Sequence, residues 1–215
     1  AQKQTQLNEV EAKSLLESYG IPVNRTEAAG SADEAVRIAR ILGYPVVLKI
    51  LSPQIPHKSD ARGVQINLRS DDGVRAAFER ITENARAYDP EADILGVTVQ
   101  TMLRRADYEL IIGSKRDPDF GPLILFGMGG IMTEILRDRA IALPPINRLL
   151  ARRLVEETRV SILLKGYRNR PPANLPLLEE LLIRLSHLVT DLPGIVELDI
   201  NPVILSEDRA FGVDA

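Results

Sequence analysis

The chain has 215 residues, a net charge of −3 and 45% apolar content, which suits one large domain or two small ones that share a core. Acidic and basic residues are mixed throughout, so there is neither the basic stripe that nucleic-acid binding needs nor a polybasic membrane patch. The absence of cysteine excludes disulfide frameworks, thiolate nucleophiles and cysteine-based zinc sites.

No basic segment followed by an apolar one opens the chain, and no apolar run reaches membrane-spanning length, so a cytoplasmic protein is expected. The polar start "AQKQTQ" and the abrupt end "FGVDA" suit a fragment or a processed subunit of something larger. The first predicted helix is capped by Asn8, with Glu11 at capping-box spacing, and "YGIP" ends it. A second helix starts at Ser31, with Glu34 three residues on, buries Ala35, Ile38, Ala39 and Leu42, and stops at Gly43. "PVVLKI" (45–50) reads as a β-branched strand. "GVQINL" (63–68) alternates Val64, Ile66 and Leu68 against Gln65 and Asn67, the period of a half-buried strand.

Residues 72–88 place Val74, Ala77, Phe78, Ile81, Ala85 and Tyr88 at helical spacing. Three successive strands are expected over 94–102, 108–116 and 122–127. Helices near 147–158 and 174–191 follow, then "IVELDINPVIL" and "AFGVDA" as a strand pair joined by "SEDR". This order predicts an α+β fold rather than a regular βαβ wind, with a subdomain boundary near 100–105. There is no internal repeat.

Four stretches carry chemistry. In "VELDINP" (196–202), strand alternation puts Val196, Leu198 and Ile200 on one face and Glu197, Asp199 and Asn201 on the other. Oxygen donors about 7 Å apart suit a hard cation such as magnesium, or are the hydrated acids of a solvent-facing strand. Asp214, expected on the adjacent strand, would add a carboxylate. Lys49 interrupts an apolar strand, either to bind an anion in a cleft or to reach water from an edge. "FGMGGI" (126–131) is either a backbone cradle for phosphate or a plain glycine-rich turn. It matches neither the P-loop nor the dinucleotide spacing. In "HKSD", His57 would serve as nucleophile or acid/base, Lys58 would neutralise phosphate, and Ser59 and Asp60 would orient ring or metal. The alternative is a stiff hydrophilic loop after "SPQIP". His187, in a leucine-rich helix, reads as a packing or surface residue.

Taken together and in order, "LNEVEAKSLLESYGIPV", "GYPVVLKI", "HKSDARGV", "YELIIGSKRDPDFGPLILFGMGGIMTEILRD" and "ELDINPV…VDA" resemble the ATP-grasp domain of nucleoside-diphosphate-forming acyl-CoA synthetases. The ADP-forming acetyl-CoA synthetases are the nearer likeness and the succinyl-CoA synthetase β-subunits a more distant one. The resemblance implies an ATP-grasp fold of two α+β subdomains holding a nucleotide, one over about 22–100, the other over about 1–21 plus 101–215.

It further implies that Lys49 binds nucleotide phosphate, that Val99, Gln100, Thr101, Met102 and Leu103 form the hinge meeting the adenine edge, and that Glu109 faces the nucleotide. Gly127, Gly129 and Gly130 would form the loop near the phosphates, with Glu134 just beyond. Asp199, Asn201 and Asp214 would hold Mg²⁺, with Glu197 beside them. His57 would carry a phosphoryl group, assisted by Lys58 and Asp60.

The implied reaction interconverts acyl-CoA, ADP and phosphate with acid, ATP and CoA, relayed from a partner's phosphohistidine. A CoA-binding domain or subunit is therefore the expected partner, with ATP/ADP and Mg²⁺ as cofactors. Where the family usually has glycine, this chain has Arg62. That departure leaves a second reading open, a nucleotide-sensing domain of a fused protein acyltransferase. A carboxylate–amine ligase is disfavoured, since such enzymes do not need the "HKSD" histidine.

Overall fold

A computed structural model describes residues 6–103, 108–130 and 138–215. The chain separates into two compact units, Ala1–Ala12 with Asn24–Arg104, and Lys13–Val23 with Arg105–Ala215. The division expected from sequence differs by placing residues 1–12 in the second unit. The side chain of Glu9 explains the difference, because it is tied to Lys49, Lys58 and Gln100 of the first.

Helix α1 (Glu9–Ser18) begins on a complete capping box. Asn8 Oδ1 accepts from the Glu11 N–H at 3.0 Å and Glu11 Oε2 accepts from the Asn8 N–H at 2.9 Å, satisfying donors that the helix itself leaves open.

The first unit is a four-stranded antiparallel sheet, β1 (Thr26–Ala29), β2 (Val46–Leu51), β3 (Val64–Leu68) and β4 (Gly96–Thr101), in the order β1-β4-β2-β3. Helices α2 (Ala32–Leu42) and α3 (Asp71–Tyr88) are capped by Ser31 and Ser70. They bury Ala35, Val36, Ile38, Ala39, Val74, Ala77, Ile81 and Ala85 against Val46, Leu48, Ile50, Val97 and Val99. Each larger aliphatic side chain sealed there stabilises the unit by about 1.5–3 kcal/mol. Tyr88, expected inside, is exposed because it ends α3 beyond the sheet-facing residues.

Strand β3 corrects a second expectation. Val46 pairs with Leu68 but Leu48 pairs with Gln65, so the ladder slips between them, and Asn67 adopts φ 59°. The irregularity breaks the inward alternation and leaves Ile66 64% exposed.

The second unit holds β5 (Tyr108–Asp117), β6 (Gly121–Met128), β7 (Arg139–Ala142), β8 (Glu197–Leu205) and β9 (Ala210–Gly212), in the antiparallel order β7-β6-β5-β8-β9. Helices α4 (Arg148–Glu156), α5 (Val160–Leu164) and α6 (Leu175–Asp191) bury Leu154, Leu164, Leu178, Leu182 and Leu185 with the sheet residues Leu110, Ile112, Ile124, Phe126, Ile200 and Val203. The hydroxyl of Tyr108 lies 2.8 Å from Leu163 O and 2.7 Å from Pro171 O, fixing the loop between α5 and α6.

His187 is on the exposed side of α6. β7 had no counterpart in the sequence reading, since "RAIA" is too short to show an alternation. Among the described residues, no helix is long and apolar enough to cross a membrane.

Candidate functional site

In the first unit the chemistry gathers on the sheet face away from α2 and α3. Alternation along β2 sends Val46, Leu48 and Ile50 to the core and Lys49 to the opposite side, where it stands across from Thr98 of β4. Lys49 is only 6% exposed, yet its charge is matched: Nζ lies 3.0 Å from Glu9 Oε1. Lys58 Nζ lies 3.3 Å from the other oxygen, Glu9 Oε2. Gln100 Nε2 donates to Glu9 Oε1 and lies 3.4 Å from Thr98 Oγ1, while Gln100 Oε1 accepts from Asn24 Nδ2 at 3.3 Å. Glu9 Oε1 is thus both paired and hydrogen-bonded, whereas buried Oε2 meets Lys58 as an ion pair without hydrogen-bond geometry.

The "HKSD" segment is a compact turn. Asp60 N–H donates to His57 O at 3.1 Å, Arg62 N–H to Ser59 O at 3.0 Å, and Gly63 N–H to Lys58 O at 2.8 Å. His57 and Asp60 are exposed on it, Lys58 is turned inward to Glu9, and Arg62 has φ 49°. Asn84 Nδ2 donates to Arg62 O at 3.2 Å, tying the turn to α3.

The hinge stretch is more restricted than the sequence indicated. Val99 is fully buried in the core, and Val99 and Gln100 sit in the centre of the sheet, paired to β1 and β2. Gln100 contributes a side chain to the network rather than an outward backbone edge. Thr101 N–H donates to Arg25 O and Met102 N–H to Pro45 O, both at 3.2 Å. The N–H groups of Thr101 and Met102 are thus already engaged within the unit.

In the second unit the oxygen donors share the face opposite the helices. Along β8, Glu197, Asp199 and Asn201 are exposed and Ile200 is buried, the alternation expected from sequence; past Asn201 the pairing with β5 slips and the next buried residue is Val203. Val196 departs from that alternation: the residue precedes β8 and is exposed. Asp214 lies past the end of β9, not within a strand, because β9 stops at Gly212. Asp214 nonetheless adjoins Asn201, whose N–H donates to Asp214 O at 3.1 Å.

Asp199 pairs with Gly113 and Glu197 with Lys115 on β5. A Cβ at Gly113 would lie 2.5 Å from Asp199 Oδ1, so only glycine leaves the carboxylate its place. Burial, and then the neighbouring Glu197 charge, push the Asp199 carboxyl up, with Arg139 and Lys115 acting in the opposite sense. Among the described residues no three His, Cys, Asp or Glu side chains are grouped so as to hold a metal ion; Asp199 and Asn201 are oxygen donors on one strand face, the ligand chemistry a hard divalent cation prefers.

The glycine loop adjoins this face. Gly130 has φ 67°, its N–H donates to Asn201 Oδ1 at 3.2 Å, and a Cβ there would collide with the Glu109 carboxylate. Gly127 ends the β6 pairing opposite Arg139, and Gly129 N–H donates to Glu109 O at 2.9 Å. Glu109, Gly129 and Gly130 thus form one neighbourhood with Asn201, while Gly127 lies against Asp138 and Arg139. Glu134 lies outside the described residues. Glu9 is the member that sequence reasoning missed. A glutamate in the first turn of a helix reads as a complement to the helix dipole, and its burial was the only distinguishing signal.

Two antiparallel sheets with their helices, a buried lysine on one and an oxygen-donor strand beside a glycine loop on the other, define the ATP-grasp class. The ATP-grasp domain family matches residues 1–215. The β subunit of acetate–CoA ligase (ADP-forming) I from Pyrococcus furiosus is 45% identical over 97% of this chain and 90% of its own length. In 4-hydroxybutyrate–CoA ligase (ADP-forming) from Nitrosopumilus maritimus the identity is 44%, and the match covers 96% of this chain but 29% of that protein. A solved dinucleotide-forming acetyl-coenzyme A synthetase 1 from Ca. Korarchaeum cryptofilum, in complex with coenzyme A, Ca-AMPCP and HgCl+, has a TM-score of 0.93 at 42% identity, covering 97% of this chain and 90% of that one. The chain belongs to the ATP-grasp domain family of the ADP-forming acyl-CoA synthetases.

Proposed function

We propose that this chain is the nucleotide-binding and phosphoryl-transfer module of an ADP-forming acyl-CoA synthetase, with His57 as a phosphoryl carrier and a CoA-binding subunit or domain as its partner. The observation that carries the proposal is the pairing of Lys49 and Lys58 on one buried carboxylate, with exposed His57 adjoining Lys58. Phosphoryl transfer asks the protein chiefly for position and charge neutralisation, and these residues supply both. Lys49 and Lys58 neutralise phosphate oxygens. The backbone from Met102 to Leu103 meets the base; within the second unit, Glu109 and the Gly127–Gly130 loop are the phosphate-facing candidates.

Asp199, Asn201 and Asp214, with Glu197 beside them, would hold Mg²⁺, which would neutralise phosphate charge when bound. An imidazole nitrogen of His57 attacks the γ-phosphorus. The new N–P bond forms as the bond to the bridging oxygen breaks, ADP departs, and the attacking ring loses the proton on its other nitrogen. The phosphoryl group then passes to the partner's carrier, and the sequence runs in reverse for ATP synthesis. Asp60, exposed on the same turn, orients the ring.

Incubation with γ-³²P-ATP and Mg²⁺ tests this. Acid-labile, base-stable label is expected on wild-type protein and none on His57→Ala. If wild type never labels, or the variant labels equally, the relay is wrong. Calorimetric binding of ATP without any label, with or without the partner, would support the nucleotide-sensing reading instead.

A further inference from the structure

We propose that Glu9 is a positioning residue for phosphate binding, one fixed carboxylate that gathers the ammonium groups of Lys49 and Lys58 to a single point. The proposal rests on the reading of those lysines as phosphate ligands. Nothing in the family match or the relatives' names assigns a role to this glutamate.

Three features separate Glu9 from an ordinary acidic residue at a helix start. It is 4% exposed, where most glutamates at that position are solvated. Its two oxygens are divided between two lysines, Oε1 to Lys49 at 3.0 Å and Oε2 to Lys58 at 3.3 Å. It is also anchored by neutral groups that do not depend on the lysines. Gln100 donates to Oε1 and is itself held by Asn24 from across the sheet, while the Asn8–Glu11 capping box fixes the turn that carries it.

The last feature gives the direction of the effect. A carboxylate held only by the lysines would follow them and compete with an incoming phosphate. One held by Gln100 and by a capped helix stays in place, and the lysines come to it. Lys49 is on a rigid central strand, but Lys58 belongs to a turn. Without Glu9 the two ammonium groups would repel, and the turn would carry Lys58 away. With it, the two ammonium groups are drawn to one carboxylate at a fixed location, pre-organised for an anion before the ligand arrives.

The test compares Glu9→Gln, Glu9→Asp and Lys49→Met in the full chain, titrating Mg-ADP and, by competition, adenosine. Glu9→Gln is expected to raise the Kd for Mg-ADP by about tenfold or more, the lower end of what a charge-assisted hydrogen bond contributes, and to leave adenosine unchanged. Glu9→Asp keeps the charge but withdraws it by one methylene, and is expected to lose less than Glu9→Gln, again for ADP alone. Equal weakening of ADP and adenosine would mean a structural role only. Unchanged or tighter ADP binding in Glu9→Gln would also overturn the proposal, the tighter case revealing a competitor.

Should Glu9→Gln fail to fold, Glu9→Asp decides by the same comparison, and wild-type binding of both ligands would then overturn the idea. Lys49→Met separates the two levels. If it binds Mg-ADP like wild type, the phosphate reading itself fails. If it weakens ADP while the Glu9 variants do not, only the role of Glu9 fails.

Discussion

Arg62 occupies left-handed backbone at φ 49°, a region that disfavours any residue with a Cβ by about 1–2 kcal/mol. Glycine at this position is therefore explained by the turn's geometry, without requiring close approach to phosphate, and an arginine there is a conformational cost rather than a sign of a lost relay. Replacing Arg62 by glycine should raise stability by about 1 kcal/mol or less, since glycine's extra freedom when unfolded offsets part of the gain. Denaturant titration measures the shift, and phosphohistidine labelling should persist in the variant. The same scale shows what the sequence could and could not reveal. The outward face of Glu197, Asp199 and Asn201 was legible because the two-residue period holds from Glu197 to Asn201, before the pairing with β5 slips. Glu9 was not, because its role depends on partners 40, 49 and 91 positions away, and no local pattern encodes them.

At the scale of elements, caps were the most readable signals: Asn8 and Ser31, both read from sequence, each start a helix through a side-chain bond to backbone N–H, while the Ser70 cap of α3 was not read. The junction of α2 and α3 is fixed by a cluster with a definite pH signature. Tyr44 Oη donates to Asp71 Oδ1 at 2.7 Å, and Arg40 Nε lies 3.1 Å from Asp71 Oδ2. Burial, and then the bond to Asp71, push the Tyr44 hydroxyl up from 10.0 to about 12. The folded state thus holds that proton more tightly than the unfolded chain, and its contribution is present below pH 10 and lost as pH rises towards 12. Arg40 first, then Tyr44, holds the Asp71 carboxyl below its usual range, a contribution present above the ordinary carboxylate pKa and lost as acid protonates it. Tyr44→Phe should cost about 1 kcal/mol at neutral pH and flatten the decline of the melting temperature between pH 10 and 12. Asp71→Asn should flatten the acid limb instead. Thermal melts across pH read both.

At the scale of the whole molecule, the α+β class followed from element order, because helices and strands came in blocks rather than in alternation. The extent of the two units did not, since the allocation of residues 1–12 depends on the Glu9 network. Ligand binding offers a global readout of the proposed site. Mg-ADP at 100 times its Kd should stabilise the chain by about 2.7 kcal/mol, measured as a rise in melting temperature. Asp199→Asn should lose most of that increment in the presence of Mg²⁺ while keeping the fold, because its own strand pairing involves backbone only. An equal increment in the variant would remove Asp199 from the metal site. Net formation of acyl-CoA should appear only when a CoA-binding partner is supplied.

The irregular pairing of β3 has a consequence for how this protein survives at high concentration. β3 is an edge of its sheet, and a regular edge strand offers a row of N–H and C=O groups on which another chain can grow. The slip against β2, with Asn67 in left-handed backbone, bends that row out of register, as bulges do. The feature that turned Ile66 to solvent therefore also denies incoming strands a straight template. One exposed isoleucine is a small cost beside an edge open to polymerisation.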